Sequence, residues 1–244
     1  MSSWRRVFPS IGPIFKGADV FVVGMGSSLE GFDFEQLRGR HTIALNNAVF
    51  HVPEPTIHIY ADEACRKRYF DHKYSPETKI VVQKVAYDDT QRKRGDLERQ
   101  LYQFEIGGPS LAEGPREYSL YVSRTVAKGG INLAWRLGAE RVFLLGVDGY
   151  RRPDGEYYFD GTPKPRESQP PPARTAVGTI EDRHACWNRE MWRLRKLFDR
   201  GELYPGPYPG PGIYNLNPLS AIEAWEKVDP AAIFEKETND AAAS

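Results

Sequence analysis

Residues 125–150 read TVAKGGINLAWRLGAERVFLLGVDGY, and their pattern decides the fold class. From Thr125 to Leu137 the apolar residues Val126, Ile131, Leu133, Ala134 and Leu137 share one helical face. Gly138 is a natural helix stop. Arg141 to Leu145 is then a continuous apolar run, the pattern of a parallel strand covered on both faces. It closes at Gly146-Val147-Asp148-Gly149-Tyr150. Helices tied by short links to such strands make βαβ units, so the sheet is expected to be mostly parallel.

Working outward, Asp19 to Val23 is a second continuous apolar run, and it ends in the glycine turn Gly24-Met25-Gly26-Ser27-Ser28-Leu29. Further strands are expected over His41–Leu45, Thr56–Ala61, Lys79–Val85 and Ile213–Leu216. Helical stretches are expected over Phe32–Leu37, Glu63–Phe70, Asp96–Phe104 and His184–Phe198, with a turn or helix at Ser220–Trp225. In His184–Phe198, Trp187, Met191, Leu194 and Phe198 form an apolar stripe of the kind that packs on a core. Gly107-Gly108-Pro109 reads as a loop, and residues 205–212 hold too much Pro and Gly for regular structure. The plan is an N-terminal arm over 1–17, one Rossmann-like α/β domain over 18–234 and a tail over 235–244. The domain is a mostly parallel sheet flanked by helices. Residues 151–180, rich in proline, form a long segment beside a sheet terminus, and segments of that kind serve as lids.

The 244 residues suffice for one large core, and 40% apolar with 27% charged residues is ordinary for a globular chain. Lys+Arg and Asp+Glu both number 33. Such a balance weighs against a dedicated duplex-DNA binder, although Arg66-Lys67-Arg68, Arg92-Lys93-Arg94 and Arg151-Arg152 leave a polyanionic partner open. Two cysteines, Cys65 and Cys186, give neither metal-ligand spacing nor a disulfide framework. The N-terminus lacks a signal-peptide core, and no apolar run approaches a membrane span, so a cytoplasmic protein is expected. The oligomeric state is not legible.

The polar groups that could carry chemistry fall at the carboxyl ends of strands or the helix starts beside them, where open parallel sheets bind ligands. They are Gly24, Gly26, Ser27 and Ser28 in the first turn, Asn46 and Asn47 after the second strand and Asp62 after the third. Ser123, Arg124 and Thr125 lie before the central helix, and Gly146, Asp148 and Tyr150 after the strand that follows it. Glycines let a backbone approach a ligand, and amides at a helix start hold anions. The same residues also serve ordinary turns and caps. The turn is not a dinucleotide fingerprint, because Leu29 stands where the third glycine would be and no acidic residue ends the second strand. There is no phosphate loop of the Gly-Lys-Ser/Thr type and no nucleophile elbow. Asp88-Asp89 is adjacent rather than spaced for a metal-bound pyrophosphate. Metal-independent chemistry is therefore favoured, with no cofactor required, while Asp62 and Asp148 could still share Mg²⁺. His184, placed at the start of its helix after the lid, is the candidate base; a capping or surface histidine fits the same position. Tyr157, Tyr158 and Trp187 could stack on a base or sugar, or simply pack.

The order of Gly24-Met25-Gly26-Ser27-Ser28-Leu29, Asn46, Tyr60-Ala61-Asp62, Ser123-Arg124-Thr125, Leu144-Leu145-Gly146-Val147-Asp148 and Ile213-Tyr214-Asn215-Leu216 resembles the bacterial sialyltransferases of glycosyltransferase family 42. It is also similar to bacterial and phage proteins like the archaeal 6-hydroxymethylpterin diphosphokinase. The resemblance is one of motif order over about residues 18–225. In the sialyltransferases the first motif reads Gly-Asn-Gly-Pro-Ser-Leu and holds the cytidine monophosphate of the donor. Here Met25 and Ser27 depart from it, while Gly24, Gly26 and Ser28 are kept. The family's Ser-Gly-Thr segment corresponds to Ser123-Arg124-Thr125, and its late histidine base matches His184 in order. The resemblance implies a glycosyltransferase that moves a sugar from a nucleotide-sugar donor to a hydroxyl of a glycan, a small molecule or a hydroxymethylated base in phage-type DNA, with His184 and Asp148 as catalytic candidates. The alternatives it leaves open are a Mg²⁺-dependent pyrophosphokinase and a non-catalytic binding protein.

Overall fold

The computed structural model describes residues 10–61, 69, 71–83, 95–97, 99–106, 119–120, 122, 125–149, 180–200 and 211–234, the side chains of 106, 119 and 180–185 excepted. The strands are β1 (Asp19–Val23), β2 (His41–Leu45), β3 (Ile57–Tyr60), β4 (Lys79–Gln83), β5 (Leu101–Ile106), β6 (Ser119–Leu120), β7 (Arg141–Leu145), β8 (Gly212–Asn215) and β9 (Glu226–Lys227). The two long described helices are α1 (Val126–Arg136) and α2 (Ile180–Asp199). The strands form one sheet of order β6-β5-β4-β3-β2-β1-β7-β8-β9, and every neighbouring pair is parallel. The chain is an α/β protein with a Rossmann-like sheet. The order runs outward from β1 to β6, then restarts on the other side of β1 with β7, so the reversal falls between β1 and β7.

Both faces of the sheet are covered, which is why β1 and β7 read as unbroken apolar runs. On one face Val20, Val22, Val142 and Leu144 pack with Ile131 and Leu133 of α1 and Met191 and Leu194 of α2. Two glycines set how closely α1 sits. A Cβ on Gly129 would lie 2.7 Å from Val122, and one on Gly130 2.9 Å from Leu45 and 3.0 Å from Val22. Gly129 and Gly130 therefore serve helix–sheet contact at the centre of the sheet. On the opposite face Phe21, Val23, Ile80, Val82 and Phe143 meet Leu29 and Leu37 of short 3₁₀ turns and the helical residues Tyr69 and Phe234. Phe21, Phe143 and Tyr214 occupy neighbouring strands in register and stack at 5.2 and 5.5 Å.

Three expectations need correction. Asp96–Phe104 is not helical: Gly95–Leu97 is a single 3₁₀ turn and Leu101–Ile106 is strand β5. Leu101 faces one core and Tyr102 and Phe104 the other, so its pattern is that of a strand with two buried faces. His184 does not open its helix, since α2 begins at Ile180. Residues 220–225 form bends, held when Ala221 N–H donates to Asp148 O and Ile222 N–H to Ser220 Oγ. The second half of the arm is docked: Ile11 and Phe15 are buried, and Phe15 and Gly17 N–H donate to Leu137 and Gly138 O at 2.9 and 3.0 Å. The helix expected over Glu63–Phe70 (Tyr69 apart), residues 151–179 of the expected lid and the tail over 235–244 lie outside the described residues. Among the described residues no helix is long and apolar enough to cross a membrane.

Candidate functional site at the carboxyl rim

Strand β1 ends in Gly24-Met25-Gly26-Ser27-Ser28 and β7 in Gly146-Val147-Asp148, side by side at the point where strand order reverses, which is where open α/β sheets bind ligands. The two loops are locked to each other. Gly24 N–H donates to Leu145 O at 2.7 Å and Gly26 N–H to Gly146 O at 2.8 Å. The Asp148 carboxylate accepts Ser28 N–H at 2.8 Å, the Ser28 hydroxyl at 2.6 Å and the Asn217 amide at 2.8 Å. A Cβ on Gly24 would collide with Gly146 O, and one on Gly26 with the Asp148 carboxylate. Gly146 has φ +61° and presses on Leu29. The glycines thus permit loop-to-loop contact. The N–H groups of Gly24, Gly26, Ser28 and Leu29 all have internal acceptors, so they do not form an open cradle for a phosphate.

Asn217 was not foreseen as part of this lock. Asn215 and Ser220 reinforce it: Asn215 Nδ2 donates to Ser220 Oγ at 3.0 Å, and Ser220 Oγ donates to Asp148 O at 2.9 Å. The signal was present in Ile213-Tyr214-Asn215-Leu216-Asn217, where two amides end an apolar strand at the rim.

Next to this lock, β2 ends in Asn46 and Asn47. Asn46 has φ +50°, the left-handed region that asparagine tolerates better than most residues. His58, fully buried on β3, holds it there: Nε2 lies 2.9 Å from Asn46 O and Nδ1 2.8 Å from the Tyr74 hydroxyl. A carbonyl only accepts, so Nε2 carries the proton and Nδ1 accepts from Tyr74. Burial pushes the His58 pKa down to about 3, against the pull of the Asn46 carbonyl. Asn47 Oδ1 accepts the Tyr69 hydroxyl at 3.0 Å.

Two polar atoms of the foreseen residues are left over. Ser27 Oγ and Asn46 Oδ1 are sealed from solvent and, among the described residues, have no hydrogen-bond partner. Ser27 as a whole is 6% exposed. An unpaired buried polar group costs about 1–3 kcal/mol. The two residues follow adjacent strands, with Val23 opposite Ala44.

Thr125 caps α1, its hydroxyl accepting Ala127 N–H at 3.3 Å. Within α1, the buried Lys128 ammonium meets Glu190 of α2 at 2.6 Å. Burial lowers the Lys128 pKa. Burial raises that of Glu190, but the Lys128 hydrogen bond and charge bring it below the usual carboxylate value. Asp62, Ser123, Arg124 and Tyr150 lie outside the described residues, as does the His184 side chain. Among the described residues no three His, Cys, Asp or Glu side chains group closely enough to hold a metal ion.

The opposite rim carries a cleft of about 470 Å³ lined by Asp19, Phe21, Arg40, His41, Glu140 and Arg141. Its arginines are already engaged: Arg141 Nε meets Asp19 at 2.7 Å, and Arg40 lies over Phe21 and Phe234. The chain matches no protein-family model and no curated protein.

Proposed function

We propose that the chain is a glycosyltransferase that takes its sugar from a nucleotide-linked donor, with the nucleoside seated at the carboxyl rim across the turns that follow β1 and β2. The observation that carries this reading is the pair of sealed, unpaired atoms, Ser27 Oγ and Asn46 Oδ1, beside the reversal of strand order. A hydroxyl and an amide oxygen suit ribose hydroxyls or a base amine. Asn46 Oδ1 does not suit a phosphate oxygen, since both are acceptors. Because the amides of Gly24, Gly26, Ser28 and Leu29 are engaged internally, the donor phosphate is assigned to the amino end of α1, where the helix dipole favours negative charge. His184 takes the proton of the acceptor hydroxyl as the sugar is transferred, and the nucleotide leaves with the bonding electron pair. The acceptor is a hydroxyl of a glycan, a small molecule or a modified base.

The test is a thermal-shift screen of the full chain against CMP, UDP, GDP, UDP-glucose and CMP-sialic acid. One nucleotide class is expected to raise Tm by several degrees, as selective binding to the folded state requires. Ser27→Ala and Asn46→Gly, the latter chosen because glycine keeps the left-handed backbone, are expected to abolish that rise. No shift with any of the five compounds would retire the reading. Once a donor is found, His184→Ala is expected to lower turnover about 10²-fold or more while donor binding is unchanged.

A further inference from the structure

A third unpaired polar atom lies away from the first two. Gln103 on β5 is 6% exposed, and its Oε1 is sealed from solvent without accepting a hydrogen bond. Tyr102 and Phe104 pack into the core under the helices. Strand alternation therefore turns Gln103 to the other face, with Leu101. In the sheet register Tyr60 is opposite Val82 and Val82 opposite Gln103. Tyr60 ends β3, and it follows Ile59, whose partner Leu45 precedes Asn46. Gln103 is therefore level with the carboxyl end of β3, three strands from the Asn46 position, or about 14 Å at ordinary strand spacing. Gln100 also has a sealed, unpaired Oε1, but its amide nitrogen donates to Ser75 O at 3.0 Å, so it has a structural task in its loop. Among the described residues no such partner accounts for Gln103.

We propose that Gln103 marks a second subsite of the carboxyl rim, which takes an uncharged, hydroxyl-bearing group: the sugar acceptor. The amide oxygen accepts from a hydroxyl and would repel an anion, and its neighbours in the row, Tyr60 and Val82, carry no charge to hold a cation. The separation of about 14 Å from Asn46 suits a ligand set laid along the rim, nucleoside at β1–β2 and acceptor at β5. The word acceptor rests on the transferase reading; the presence of a polyol subsite does not.

The test has two arms, both on the full chain. In the first, Gln103→Met and Gln103→Leu are made and the Tm of the ligand-free protein is measured. A polar group kept unpaired for a ligand weakens the free fold, so both variants are expected to melt about 2–4 °C higher than wild type. A Tm at or below wild type in both variants would mean that Gln103 has a structural partner, and would overturn the proposal. In the second, wild type and Gln103→Met are heated with about 100 mM methyl β-galactoside, methyl α-glucoside or N-acetylglucosamine. One sugar is expected to raise the wild-type Tm at least about 2 °C more than it raises that of Gln103→Met. Equal shifts in the two proteins for all three sugars, as general solvent exclusion would give, would overturn it as well. Loss of nucleotide binding with a retained, Gln103-dependent sugar shift would remove the transferase reading and leave the polyol subsite standing.

Discussion

Asp148 shows how far single residues were legible. Its place at the carboxyl end of an apolar strand, and that of Ser28 after a glycine turn, were plain from the sequence; that they bond each other across 120 positions was not. A glycine that admits a phosphate and one that admits a carboxylate from the next loop look the same in sequence, because both only require a missing Cβ. The contact predicts its own mutants. Asp148→Asn should weaken two charge-assisted bonds to Ser28 and set an amide against a donor, lowering stability by about 2–4 kcal/mol in denaturant unfolding. Gly26→Ala should be similarly harmful because its methyl enters the same carboxylate. His58 gives a pH signature. With its folded pKa near 3 against 6.5 unfolded, the unfolded chain binds the extra proton between these values. The stabilising effect of keeping His58 neutral is complete above pH 6.5 and is lost as pH falls toward 3, at up to about 1.4 kcal/mol per pH unit. His58→Gln should flatten the dependence of stability on pH between 6 and 4, and an unchanged slope would mean that other groups set it.

At the scale of elements, β1, β2, β7 and α1 were legible to within a residue or two: β1, β7 and α1 each have one unbroken apolar run or one strong period and a glycine stop, and β2 ends at the Asn46-Asn47 pair. Strand β5 was misread because Leu101-Tyr102-Gln103-Phe104 is short, carries a buried amide and follows a polar stretch, so periodicity alone cannot separate a strand from a helix there. The tie between α1 and α2 was missed for a different reason. Nothing in the sequence beside Lys128 names its partner, yet it is fully buried and meets Glu190, 62 residues on, which Arg193 also contacts at 3.0 Å. Such a pair is a poor source of net stability but costly to break. Glu190→Ala should therefore destabilise the chain by about 3–5 kcal/mol, whereas Lys128→Met combined with Glu190→Met should be milder than the sum of the two single changes. Additive losses in that double-mutant cycle, read by urea unfolding, would show that the two helices are not coupled through this pair.

For the whole molecule, the sheet has two rims of different character, and this is what the sequence could not supply. Short links and apolar runs imply a parallel sheet, but strand order follows from which crossovers turn back, and only the structure puts the reversal between β1 and β7. The amino rim has a cleft lined by described residues, yet its arginines are held by Asp19 and by aromatic rings. At the carboxyl rim Ser27 Oγ and Asn46 Oδ1 are sealed from solvent and lack a partner among the described residues. Arginines already engaged within the protein gain little from a ligand, whereas an unpaired buried atom gains a hydrogen bond it lacks in the free protein. Hydrogen exchange separates the two. In the presence of whichever nucleotide raises Tm, amides at 24–29 and 46–50 should exchange more slowly beyond the global stabilisation that binding confers, while those at 38–41 and 140–142 should slow only by the global amount. Local protection confined to the amino rim would move the site to the other end of the sheet and leave Ser27 and Asn46 as unexplained strain.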